Sequence, residues 1–323
     1  MKNLSISLLT LSTIVLMSCN STPKKEKNSI KEEATDSRTV QIKLGITGNK
    51  MSKEWKEALR NRKSSKVLDS LSKVEKELTN EEQEWITLIE SKASKWNTIR
   101  DSIKVPFENI KLNDTVTVLL GYQGGDDAFT PNVKTICLDV NTLQREYGSA
   151  KKPVNDNRID RIFAHEFTHL LHKEWATKNN LSINTFKDQI LWECTLEGFG
   201  MYRSMSSKWF PKGDSLSATS KKTFDNLYPI FAEKIIKVLG QPNLTEEEEN
   251  EIHANLSRGP MKRKWGALPV AVWLAAEAKG NDKNLIKWVN KGPDAIVLLA
   301  EKYLTGESKV AFDEFLKNNK DSH

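Results

Sequence analysis

Histidine and cysteine are scarce in this chain, at five and three among 323 residues. So few cysteines exclude a scaffold stapled by several disulfides, and Cys137 and Cys194 lack zinc-ribbon spacing. Those two either pair in an oxidising compartment or stay as buried thiols, and the sequence is compatible with both. Beyond the N-terminal segment, no run reaches the roughly 18 apolar residues that a membrane-spanning helix needs. Net charge is +6, yet lysines and glutamates alternate along most of the chain, so no basic block points to nucleic acid. No internal period is visible, which excludes a solenoid or propeller.

What is present begins at the N-terminus. MKNLSISLLTLSTIVLMSC has one cation at Lys2, an apolar run to Met17, then Ser18 and Cys19. That is the pattern of a signal peptide over residues 1–18. Leu16-Met17-Ser18-Cys19 resembles the bacterial lipobox, and the resemblance implies a lipidated Cys19 that holds the protein on a membrane of the cell envelope. Each buried acyl methylene stabilises such an anchor by about 0.8 kcal/mol. Residues 19–36 follow as a polar, charged stretch without aromatics, expected as a disordered tether.

The rest can bury a large core, as one sizeable domain or one with a helical extension. RTVQIKLGI (38–46) alternates like a strand. Across 52–102, tryptophans and leucines recur at helical spacing and predict two or three amphipathic helices whose tryptophans are core. This is the N-terminal helical region, 37–104. From 105 to 323 the texture changes. TVTVLLGY (115–122) and VKTICLDV (133–140) read as neighbouring strands, separated by the turn-rich QGGDDAFTPN. Helices are expected from about 155 to 178, then near 187–208, 221–239, 245–257, 266–279, 282–290, 293–304 and 308–319. The fold class is therefore α+β, dominated by helix.

Against that scarcity, three of the five histidines fall in RIFAHEFTHLLHKEW, residues 161–175. On a helix, His165 and His169 lie one turn apart, so each can direct a ring nitrogen at one zinc ion. Glu166 is rotated by about 100°, placed to reach a water beside the metal without ligating it. This is the HExxH arrangement, two imidazole ligands with a carboxylate base between them. His172 shares the face but lies about 10.5 Å along the axis from His165, too far for one ion, which points to a supporting or rim role. A metzincin motif fails too, because it needs glycine at position 172 and histidine at the position of Trp175.

Downstream, DQILWECTLEGFGMY (188–202) resembles the segment that supplies the third ligand in gluzincin peptidases, Glu-Gly-x-Ala-x-Tyr. The resemblance implies Glu197 as that ligand, with Gly200 letting the two helices approach and Glu193 able to accept a histidine ring proton. A rival register, as in thermolysin-like enzymes, takes Glu193 as ligand. Cys194 is a conceivable soft ligand, although a buried thiol suits it better. Lipobox, tether, two strands, HEFTH helix and Glu-Gly helix together resemble the predicted zinc peptidase lipoproteins of Bacteroidetes, related to the gliding-motility lipoprotein B group. The resemblance spans about 110–280, with its specific part in 164–172 and 193–202. It departs at KWGALPVAVW (264–273), where such proteins often carry tyrosine-rich text.

The resemblance implies a zincin-like domain and a membrane-tethered zinc peptidase acting on peptides or proteins, with Glu166 as general base. Tyr202, His253 and Arg258 are the candidates for stabilising the oxyanion. An early strand, 115–122 or 133–140, would pair with extended substrate. The alternative is a catalytically silent lipoprotein serving as a structural part of an envelope assembly.

Overall fold

The computed structural model describes residues 39–111, 115–205, 209 and 216–320. The expected signal peptide, Cys19 and the expected tether lie outside the described residues. Residues 37–323 form one compact unit. It is helix-dominated around a small mixed sheet, the α+β class expected.

The chain starts with β1 (Thr39–Leu44) and a hairpin of β2 (Ile46–Thr47) and β3 (Lys50–Met51). Four short helices follow: α1 (Lys53–Ala58), α2 (Ser65–Leu71), α3 (Asn80–Glu90) and α4 (Ala93–Ile103). Then come β4 (Thr115–Gly121), β5 (Ala128–Phe129) and β6 (Thr135–Asp139). The remainder is helical: α5 (Val140–Tyr147), α6 (Pro153–Lys178), α7 (Phe186–Ser204), α8 (Ala218–Gly240) and α9 (Glu246–His253). It ends with α10 (Ala267–Ala278), α11 (Ile286–Lys291), α12 (Ala295–Tyr303) and α13 (Gly306–Lys320).

The sheet runs β1-β4-β6-β5, parallel except for β5, which is antiparallel to β6. Alternate residues of β4 and β6 serve two cores. Val116, Val118, Leu120, Ile136 and Leu138 join the large helical core. Leu119 and Cys137 face a smaller cluster with Trp55, Leu59 and Leu68. Burial on both faces explains why these strands read as continuous apolar runs. Trp55 also dictates a glycine: a Cβ on Gly121 would meet its indole at 2.2 Å. Its Nε1 donates to the Tyr122 carbonyl at 2.9 Å.

This order changes the expected substrate edge. Both β4 and β6 have partners on either side, so neither presents free backbone. The exposed edge beside α6 is β5, two residues within the segment expected to be a loop.

The N-terminal helices brace α6 from behind. Asp160 accepts from Trp96 Nε1 at 2.9 Å and from Lys95 Nζ at 2.6 Å. Trp96 stacks on Phe163, centroids 4.4 Å apart. Pro153 stands in the first turn of α6, where its missing N–H costs nothing. α7 starts at a capping box, Thr185 with Asp188, and α9 at another, Thr245 with Glu248. Cys137 and Cys194 are buried free thiols, so the pairing alternative is not realised. Among the described residues, no helix is long and apolar enough to cross a membrane.

Candidate metal centre

α6 and α7 pack side by side and bring the two sequence segments together. Glycine makes this possible: a Cβ on Gly200 would lie 2.9 Å from His165 Nε2 and 3.0 Å from His169 Cε1. Glu197, one turn earlier on α7, reaches both rings. Its Oε2 lies 3.5 Å from His165 Nε2 and its Oε1 3.6 Å from His169 Nε2. The imidazoles stand perpendicular, centroids 4.6 Å apart. Glu166 faces the same spot, since one ligand atom each from His165, Glu166 and His169 lies within 4.8 Å of the others. That compact trio contains Glu166, whereas Glu197 is the carboxylate that spans both Nε2 atoms. Glu197 is thus a candidate third ligand by its contact with both rings, with Glu166 beside them.

Burial and the Glu197 carboxylate together set the electrostatics of this site. Burial opposes ionisation of Glu197, but the facing imidazoles overcome it and hold its carboxyl down to about 2. Burial opposes a proton on His169 and pulls it down to about 3. Burial also opposes a proton on His165, although the Glu197 hydrogen bond and charge prevail and raise it. The donor set, two imidazole nitrogens and one carboxylate, suits zinc. Glu166 is pushed up to about 7, first by burial and then by the Glu197 and Asp127 charges.

Of the two candidate imidazole ligands, one has a partner behind it and the other does not. His165 Nδ1 faces Ser204 Oγ at 3.4 Å. His169 Nδ1 is buried without a hydrogen-bond partner among the described residues. Glu193 does not face either ring. It accepts from Ser257 Oγ at 3.1 Å and pairs with His253 Nδ1 at 3.5 Å, tying α7 to the loop after α9. Cys194 is buried and free, and does not line the cleft.

His172 is neither rim nor support. It is 1% exposed, with Nδ1 donating to the Thr168 carbonyl at 3.1 Å and its ring wedged against Phe107, Trp192 and Phe199. Burial holds it neutral, down to about 3. It is a packing residue of the core.

The site opens into a cleft of about 730 Å³. Of the three oxyanion candidates, Tyr202 donates its hydroxyl to Asp282 at 3.0 Å and is committed there. His253 is committed to Glu193, and Arg258 is on the cleft wall. The edge strand β5 forms another wall and is pinned at both ends. Tyr147 donates to Asp127 at 2.5 Å, and Lys173 on α6 donates to the Thr130 carbonyl at 2.5 Å. Asp139 steadies the loop before it, capping α5 through Thr142 N at 2.9 Å and accepting from Gly124 N at 2.5 Å. The reading from sequence missed β5 and also Arg158 and Arg161, which line the cleft. Their spacing from His165, seven and four residues earlier on the same helix, was the available signal.

No protein-family model, curated protein or solved structure matches this chain.

Proposed function

We propose that this chain is a zinc-dependent peptidase of zincin-like architecture, tethered to a membrane of the cell envelope through a lipidated Cys19. The observation that carries the reading is the Glu197 carboxylate, one oxygen 3.5 Å from His165 Nε2 and the other 3.6 Å from His169 Nε2. Those three side chains are the ligands. Zinc held there supplies Lewis acidity toward a peptide carbonyl and lowers the pKa of a ligated water toward 7.

Glu166 takes up the proton released as water adds to the scissile carbonyl, then delivers it to the leaving amine. A carboxyl pushed up to about 7 is suited to both steps at neutral pH. Arg258, exposed on the cleft wall, is the remaining candidate to balance charge on the oxyanion. The outer edge of β5 runs beside α6, and extended peptide backbone pairing there would take the Ala128 N–H from Asp127 Oδ1.

A buried carboxylate beside the ligands favours catalysis over a silent envelope component, because a purely structural site has no use for a base. The test compares zinc content and peptide-library cleavage for wild type and Glu166→Gln. Equal zinc and a loss of cleavage by about 10²–10⁴-fold in the variant are expected. Equal zinc with no cleavage by either protein would overturn the enzyme reading in favour of the silent one. Membrane fractionation of Cys19→Ser tests the tether: release is expected, and retention contradicts lipidation.

A further inference from the structure

Six cationic side chains line the cleft, and they fall into two groups. Arg62 is paired with Asp126, and Lys173 is spent on Thr130. Arg158, Arg161, Arg258 and Lys264 have no carboxylate within ion-pair distance among the described residues. Of these, Arg158 and Arg161 are built into the wall.

Both arginines are half-buried on α6, one helical turn apart and N-terminal to His165 on the cleft side. Neutral amides hold them in place. Arg158 donates to the Asn155 side-chain oxygen, and Arg161 donates to that of Asn157. Asn155 is fully buried and fixed in turn, donating to the carbonyls of Tyr147 and Ser149 at 3.3 and 2.8 Å. The Arg158 guanidinium lies over the Tyr147 ring, 4.3 Å from its centroid.

An amide oxygen orients a guanidinium but leaves its charge whole. Asp160 is paired with Lys92 and Lys95 and accepts from Trp96, and Asp127 accepts from the Tyr147 hydroxyl; neither lies within ion-pair distance of the two arginines. Burial and then Arg158 both disfavour the proton on Arg161, so the pair is mutually repulsive as it stands. Two like charges on adjacent turns, half-desolvated, offset only at a distance by Asp160 and without an ion-pair partner among the described residues, are an arrangement that an anion relieves.

We propose that Arg158 and Arg161 form a subsite that takes a carboxylate of the peptide substrate, so the cleft selects peptides carrying an acidic group there. This rests on the peptidase reading for the identity of the ligand. The carboxylate comes either from an Asp or Glu side chain or from the peptide C-terminus. Arg161 is one turn from His165, about 6 Å along the axis, which puts the anion within one or two peptide residues of the scissile bond.

Binding tests this apart from catalysis. Randomised octapeptide libraries, acetylated and amidated, carry Glu or Gln at one fixed position in turn. A third library lacks acidic side chains but has a free C-terminus. Affinity is read by fluorescence anisotropy on zinc-loaded full-length Glu166→Gln, with and without Arg158→Gln/Arg161→Gln. At one position Glu should bind at least about tenfold tighter than Gln, and the added arginine changes should cut that ratio below about twofold. Tight binding of the third library instead assigns the subsite to a C-terminal carboxylate. Arg161→Lys should retain much of the preference, and Arg161→Glu should turn it toward Lys peptides. Equal binding of the Glu, Gln and free-C-terminus libraries, or a preference that survives loss of both arginines, would overturn the subsite. Parallel cleavage by wild type separates the two readings. Selective binding without cleavage removes the peptidase and keeps the anion site, while cleavage indifferent to Glu or Gln and to the C-terminus does the reverse.

Discussion

A Cβ placed on Gly200 would stand 2.9 Å from Nε2 of His165. That single distance links the two helices of the site, because the space a methyl would fill is the space in which the imidazole turns toward Glu197. Alanine is the better helix former by about 1 kcal/mol. Gly200→Ala is therefore expected to leave the melting temperature of the metal-free protein nearly unchanged while it displaces the ligand rings. Zinc affinity, measured by chelator competition, should fall at least about tenfold, the equivalent of roughly 1.4 kcal/mol. Unchanged affinity would mean that the rings yield without losing their alignment.

Lys173 connects α6 to the residue following β5, with Nζ 2.5 Å from the Thr130 carbonyl and 2.6 Å from its hydroxyl. Lys173→Met should loosen the edge strand without touching the ligands. The expected outcome is a KM for peptides raised about tenfold, roughly 1.4 kcal/mol of binding, with zinc stoichiometry unchanged. A variant with wild-type KM would remove β5 from substrate binding.

Outside the cleft, Glu277 on α10 gathers the C-terminal helices. It accepts from Trp288 Nε1 at 3.0 Å, Lys287 at 2.8 Å, Tyr303 at 2.5 Å and also Lys302. Burial resists its ionisation, but these donors, Lys287 first, outweigh it and hold the carboxyl down to about 2 from an ordinary 4.5. A folded pKa below the unfolded one means stability fully present above about 4.5 and lost as pH falls toward about 2. Glu277→Gln should unfold at lower urea than wild type at neutral pH, with the gap closing across that acidic window. A gap independent of pH would contradict the linkage.

Much of this was legible from spacing alone. The period of α6 placed His165, Glu166 and His169 together, as the structure has them, and the resemblance carried by Glu197-Gly198-x-Gly200 pointed to the helix that packs beside it. The strands at Thr115 and Thr135 were readable because burial on both faces leaves an unbroken β-branched run. β5 was not, since two residues inside a Gly- and Asp-rich loop carry no period, and only pairing with Leu138 and Cys137 makes them a strand. α5 was hidden for a related reason: Asp139 both ends β6 and caps the helix, so the boundary falls inside the apolar run. His172 took on a core role that helix rise could not indicate, because the aromatic rings enclosing it come from α7 and from Phe107 after α4.

Zinc content of purified variants, determined by mass spectrometry of the metal, bears most directly on the ligand set His165, His169 and Glu197. Wild type, Glu166→Gln and Glu193→Ala are expected to hold about one zinc per chain, as three intact ligands require. His169→Ala and Glu197→Ala should lose it. Full zinc in Glu197→Ala together with loss in Glu193→Ala, or no zinc in wild type, would contradict the account.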